Sequence, residues 1–120
     1  MASTTRRADS GVTVDTASLT GLHWLAIALA AVTGAVHLYL YLLEDWLPFL
    51  LAGLGFFGAI VLLIVLPRYR RSLYPVGVLY VLAQIVGYVL LPLGPAWLGY
   101  LDKAVQVLLV LVLVQLYRTS

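Results

Sequence analysis

The chain has 120 residues, of which 63% are hydrophobic and 10% charged, with a net charge of +2 and a pI near 9.1. A water-soluble domain carries roughly 25% charged residues, so a chain this short and this apolar cannot cover its surface with polar groups in water. The small positive balance reads as membrane topology rather than nucleic-acid binding, and the absence of cysteine excludes disulfides, thiolate metal sites, iron–sulfur clusters and thiol redox chemistry within it.

Residues 1–18 are rich in Thr, Ser, Asp and Gly and supply no apolar face, so they read as a polar, mobile cytoplasmic tail. Thr5-Arg6-Arg7 resembles a twin-arginine start, but the apolar run that follows begins only at Leu22 and exceeds a signal-peptide core of about 7–15 residues. Residues 19–118 read as one domain of four transmembrane helices, Leu22–Leu43, Trp46–Leu66, Pro75–Leu93 and Leu98–Tyr117. Each approaches the ~20 residues that an α-helix needs to cross a ~30 Å hydrocarbon core.

Ser18 or Thr20 is placed to cap the first span. That span carries Ala26, Ala30 and Gly34 at four-residue spacing, a seam on which backbones can approach closely. Glu44-Asp45-Trp46 makes a tight link, with Asp45 predicted as N-cap of the second span and Pro48 tolerated in its first turn. Span two offers Gly55 and Ala59, with Gly53 and Gly58 nearby. A basic loop from Pro67 to Pro75 holds Arg68, Arg70 and Arg71, which set topology and face the headgroups. Span three offers Ala83 and Gly87, and Gly94-Pro95-Ala96 ends it. Span four is an alternation of Val and Leu from Val105 to Val114 with almost no small residues. The expectation is a tight core of spans one to three, with span four facing lipid or a second copy. Trp46, Tyr69, Tyr74, Trp97, Tyr100 and Tyr117 lie near span ends, as an aromatic belt requires.

The threading follows from the charges. Arg6, Arg7, Arg68, Arg70, Arg71 and Arg118 all fall on one side when the spans alternate, for a net +4 with Asp9 and Asp15. Glu44, Asp45, Asp102 and Lys103 leave the other side at −2. The positive-inside rule then places both termini in the cytoplasm of a cell-membrane protein.

Polar residues inside spans are costly and point inward. Tyr80, Gln84 and Tyr88 form one stripe on span three, and Asp102 and Gln106 lie four apart on span four. Counted from the outer ends at 1.5 Å per residue, Gln84 and Gln106 are level and can hydrogen-bond, and His37 is level with Tyr88. At the outer face, Glu44, Asp45, Asp102 and Lys103 read as loop caps and a surface ion pair worth about 0–1 kcal/mol. Nothing reads as charged deep in the membrane, and no nucleophile has an evident base, so no catalytic residue is named.

His23 and His37 are the two imidazoles, and His23, Ala26, Ala30, Gly34 and His37 step by 3, 4, 4 and 3 along one helix face. This spacing resembles the two-haem arrangement of cytochrome b-type membrane proteins, in which two histidines of one span bind a haem near each leaflet. That resemblance implies haem ligation by His23 and His37, with opposing ligands drawn from a homodimer because no other span has a histidine. Read from position alone, His37 is a buried, hydrogen-bonded histidine and His23 an interfacial one. They are too far apart to share a zinc ion, and no metal site is expected.

Small multidrug exporters match in length and span count but need a glutamate embedded in the first span, where this chain has only Glu44 at the boundary. Thiol-dependent quinone reductases of similar size need cysteine pairs. The run Gly34-Ala35-Val36-His37-Leu38-Tyr39-Leu40-Tyr41, followed by the glycine-rich Leu51–Gly58, resembles four-span membrane proteins of halophilic archaea over residues 20–117. That resemblance implies an integral membrane protein and no particular activity.

The expected function is therefore non-enzymatic: an accessory or interaction subunit in the lipid bilayer, self-associating or bound to a membrane-protein partner. The alternatives are a haem-bearing electron carrier and a small transporter or channel lined by Tyr80, Gln84, Tyr88 and Gln106.

Overall fold

The computed structural model describes residues 13–120; Arg6, Arg7 and the rest of residues 1–12 lie outside the described residues. Four helices follow one another: α1 (Gly21–Glu44), α2 (Leu47–Val65), α3 (Arg70–Leu90) and α4 (Ala96–Thr119), with a 3-10 turn at Pro67–Tyr69. All four are long and apolar enough to cross a membrane, and no strand occurs among the described residues. The fold is an all-α bundle in which α1 packs on α2 and α4, α4 packs on α3, and α2 touches α3 only slightly.

Thr20, not Ser18, caps α1. Its hydroxyl accepts from the His23 backbone N–H, and its own N–H donates to His23 Nδ1 at 3.1 Å. This is a capping box in which an imidazole stands where glutamate usually does. At the other end Asp45 is the left-handed C-cap of α1 (φ 49°) rather than the N-cap of α2, which is Trp46. A short polar side chain is among the few that tolerate that conformation.

The third span begins five residues earlier than its sequence reading. The 3-10 turn runs straight into α3, which carries Pro75 in its second turn. Pro75 forfeits one bond to the Arg71 carbonyl but does not end the helix. Pro92 does: it bars helical geometry from Leu91, and α3 stops at Leu90.

A helix leaves its last four carbonyls without intrahelical partners. In α2 each finds one. Leu62 O accepts from Leu66 N at 2.9 Å, Leu63 O from Arg70 Nε at 2.6 Å, Ile64 O from Asp15 N at 3.1 Å and Val65 O from Thr13 N at 3.0 Å. Arg70 also donates to Ser18 Oγ (2.7 Å) and Asp15 O (2.9 Å). Arg70 is thus a buried clasp rather than a headgroup arginine, and residues 13–18 are docked on α2, not a free tail. Arg71 ties the C-terminus through Tyr117 O and Ser120, whereas Arg68 and Arg118 remain exposed.

Burial reverses the expectation for α4. It is the most buried span, with 33% of its central window buried against 11% for α3. The stripe Leu98, Gly99, Asp102, Gln106, Leu109, Val112 and Leu116 faces the bundle. The small-residue seams divide. Ala26, Ala30 and Gly34 are buried as expected. On α2 the close approach to α1 is made by Gly53, where an added Cβ would stand 2.9 Å from Gly34 O. Gly55 instead faces the Tyr80 hydroxyl, and Ala59 is half-buried. Ala83 and Gly87 do not pack a helix at all: both are exposed, and a Cβ on Gly87 would meet nothing within 4 Å.

Candidate functional site

Thr33 is the middle residue of α1, and two side chains of α4 converge on it. Thr33 Oγ1 donates to Asp102 Oδ1 at 2.6 Å and accepts from Gln106 Nε2 at 3.1 Å. Thr33, Asp102 and Gln106 are each at most 1% exposed. Lys103, its side chain 17% exposed, reaches Asp102 Oδ2 and Gln106 Oε1 through Nζ, both at 2.8 Å. The surface ion pair expected of Asp102 and Lys103 therefore has a buried carboxylate and a half-buried lysine, nearly two turns into α4 and bonded to the centre of α1.

The direction of each bond is set by Lys103. An ammonium only donates, so Gln106 must turn Oε1 toward it. Gln106 Nε2 then faces Thr33 and also donates to Gln84 Oε1 at 2.9 Å. Gln84 Nε2 is left buried and without a hydrogen-bond partner. Gln84 and Gln106 thus meet across α3 and α4, joined to an ion pair that composition alone did not reveal.

His37 does not pair with Tyr88. Its Nδ1 lies 2.7 Å from the Thr33 carbonyl, which can only accept, so Nδ1 carries the proton. Nε2 faces Asp102 Oδ2 at 3.9 Å. Phe49 and Phe56 flank the ring at 6.1 and 5.7 Å between centroids. Tyr88 instead packs against Gly99, with Lys103 Nζ 5.2 Å from its ring centroid. Tyr80 donates to Ala52 O of α2 at 2.8 Å, one of the few bridges between α2 and α3.

His23 sits at the other end of α1. With Nδ1 accepting from Thr20, its Nε2–H donates to Tyr74 Oη at 3.0 Å, tying α1 to α3. Both ring nitrogens of His23 are thus engaged in hydrogen bonds. At His37 the adjoining cavity holds about 220 Å³. Among the described residues no three His, Cys, Asp or Glu side chains converge to hold a metal.

The cavity lies in the half of the bundle that contains the α1–α2 and α3–α4 links. His37 and Leu40 of α1, Trp46, Phe49 and Ala52 near the start of α2, Gln84, Gly87 and Tyr88 of α3, and Asp102 and Lys103 of α4 wall it. A second cavity, about 60 Å³ and wholly apolar in its lining side chains except for Tyr74 and Tyr80, lies toward the other end between Ala30, Leu63 and Leu116. The first combines apolar walls with an ion pair, as small-molecule sites combine apolar lining with a few polar groups. Sequence reasoning missed Thr33 and read Asp102 and Lys103 as a surface pair. The available signal was Asp102 and Gln106 sharing one face with Leu98, Leu109 and Leu116 at helical spacing.

No family model, curated protein or solved structure matches the chain.

Proposed function

We propose that this is a small multi-pass protein of the cell membrane that acts without catalysis, as a binding component, and that the cavity beside Asp102 receives a small organic molecule. The observation that supports it is the cavity of about 220 Å³ walled by His37, Gln84, Asp102 and Lys103. Ionisable groups inside membrane spans are expensive and mark binding or transport paths. The test is thermal unfolding in nanodiscs across a panel of small neutral and charged organic compounds, with the wild type beside Gly87→Leu. A compound at 100 times its Kd stabilises by about 2.7 kcal/mol. Gly87 borders the cavity and has free space around its Cβ, so a leucine there clashes with nothing and should narrow the site. Stabilisation lost in Gly87→Leu is the expected result; equal stabilisation of both proteins defeats the reading.

The same proposal orients the chain with both termini in the cytoplasm, on the arginine asymmetry. The cavity then opens in the outer half of the bilayer. Because the chain has no cysteine, single introduced cysteines report sidedness directly. A membrane-impermeant maleimide should label Glu44→Cys in intact cells and leave Ser72→Cys unlabelled until lysis. The reverse pattern inverts the topology.

A further inference from the structure

We infer that the start of α3 binds one anionic diacyl phospholipid, its phosphate held by Arg68 and Arg71 and its two acyl chains laid in the grooves on either side of the helix. The site lies at the end of the bundle away from the Asp102 cavity and does not depend on it. Only the leaflet, the cytoplasmic one, is taken from the proposed orientation.

The grooves follow from the packing. α3 touches α2 only slightly, and between them an apolar groove of about 210 Å³ descends from Tyr69 and Ser72 past Leu66 and Leu73 to Leu62 and Val76. On the other flank, between α3 and α4, a groove of about 310 Å³ descends from Tyr74 and Tyr117 past Val78 to Leu79 and Leu113. Val76 and Leu79 are 62% and 69% exposed, so both grooves open on the outer surface of the bundle. Val76 follows Arg68, and Leu79 follows Arg71, by two helical turns and a little more, or about 12 Å. One leaflet of a ~30 Å core is about 15 Å deep, so each groove runs along most of one acyl chain.

The charge follows from the sequence. No Asp or Glu occurs between Asp45 and Asp102, and that stretch carries Arg68, Arg70 and Arg71. Arg70 is engaged with Leu63 O, Ser18 and Asp15. The other two stand one at the head of each groove. The Arg68 guanidinium lies 5.4 Å from the Tyr69 ring centroid and has no acidic partner among the described residues. The Arg71 guanidinium lies 4.2 Å from the Tyr117 ring centroid, and its hydrogen bonds to Tyr117 O, Ser120 O and Ser120 Oγ all run through Nη1. A guanidinium has five N–H donors, so Nε and Nη2 of Arg71 are left to receive an anion. Phosphate oxygens take such donors in pairs, and an arginine already held by a ring and three oxygens has less freedom to lose on binding.

The grooves and the charges select the same molecule. Free phosphate suits the arginines but leaves the grooves uncovered, and a neutral lipid suits the grooves but leaves the arginines without a counter-ion. A zwitterionic headgroup carries its own ammonium into an end of the bundle where Arg68, Arg71 and Arg118 are already exposed. An anionic phospholipid satisfies both, and each arginine near the surface favours it about fivefold.

The test is native mass spectrometry of the full chain, delipidated in a maltoside detergent and titrated with dioleoylphosphatidylglycerol or dioleoylphosphatidylcholine. The first phosphatidylglycerol should bind at least about tenfold more tightly than the first phosphatidylcholine. Arg68→Gln should weaken phosphatidylglycerol about fivefold. Arg118→Gln, an equal loss of charge at an arginine that lines neither groove, should leave it nearly unchanged. Val114→Phe, at an exposed position of the α3–α4 groove, should weaken both lipids with no change of charge. Equal affinity for the two lipids overturns the anionic preference. Equal losses in Arg68→Gln and Arg118→Gln replace the site with general surface attraction, and undiminished binding to Val114→Phe overturns the seating of a chain in that groove. A dimer that takes up no phospholipid gives the grooves to a second copy and overturns the lipid.

Discussion

Thr33 and Asp102, sixty-nine positions apart, share a 2.6 Å hydrogen bond at the centre of the bundle. Through it the middle of α1 is tied to a carboxylate that is itself ion-paired to Lys103. Two helices that apolar surface alone would not hold together in lipid are joined by a polar lock.

The lock makes the pair asymmetric to mutation. Asp102→Leu leaves the Lys103 ammonium without its counter-ion and should destabilise the bundle by about 3–5 kcal/mol. Adding Lys103→Met removes the stranded charge, so the double variant should be more stable than Asp102→Leu alone. Reversible unfolding in bicelles gives the cycle. Strict additivity of the two substitutions means that Lys103 draws its stability from elsewhere.

Glycine positions separate by what surrounds them. At Gly53 a methyl would press on Gly34 O at 2.9 Å and on Leu38 Cδ2 at 2.7 Å, and the carbonyl cannot give way. Gly53→Ala should cost about 1–3 kcal/mol. At Gly58 a methyl meets nothing within 4 Å, so Gly58→Ala should be neutral or stabilise by about 0.5–1 kcal/mol through helix propensity. Thermal unfolding of the two variants side by side checks both; similar melting points would mean that α1 and α2 do not cross at Gly53.

Apolar run length made the four spans legible, because a bilayer admits few other uses for ~20 apolar residues. Counting residues from the span ends set Gln84 level with Gln106, and the structure joins them. Neighbour relations were not legible. Small residues were read as the seam of the bundle, yet α4 enters it through Leu109, Val112 and Leu116 with Asp102 and Gln106, on a face that the Val–Leu alternation hid. Asp102 also sits only six residues from the start of α4, a boundary position in one dimension. Its burial depends on α1 standing beside α4, which composition does not encode. Arg70 misled for the same reason: a guanidinium in a basic loop looks like a headgroup contact until the carbonyl ends of α2 are placed next to it.

His23 and Tyr74 provide a smaller test of how the bundle is tied. Tyr74 is 2% exposed, and its hydroxyl accepts from His23 Nε2 at 3.0 Å. Tyr74→Phe should cost about 0.6–1.7 kcal/mol, the range for interhelical bonds in membranes. His23→Ala should cost more, because it also opens the capping box at Thr20. Equal losses for the two would mean that the cap contributes nothing.

The Arg70 clasp predicts a local effect with a defined pH sense. Its guanidinium holds Leu63 O, Ser18 Oγ and Asp15 O at once, and lysine, a point charge, cannot reproduce that fork. In Arg70→Lys the amides of Thr13 and Asp15, bonded to Val65 and Ile64, should exchange with deuterium about 10–100-fold faster, as expected for loss of charged hydrogen bonds worth about 1.5–3 kcal/mol. Amides in α4 should keep their protection. Within the clasp the Asp15 carboxylate accepts from Ser18, and these bonds hold its pKa below the ordinary value. A depressed acid stabilises the folded form fully above its unfolded pKa, about 4 for aspartate. In wild type the protection of both amides should therefore hold from neutral pH down to about 4 and fall as the pH drops through the lowered value. Asp15→Asn should remove that acid step while leaving the Arg70 bond to the Asp15 carbonyl in place, so a step that persists in Asp15→Asn assigns the titration to another group.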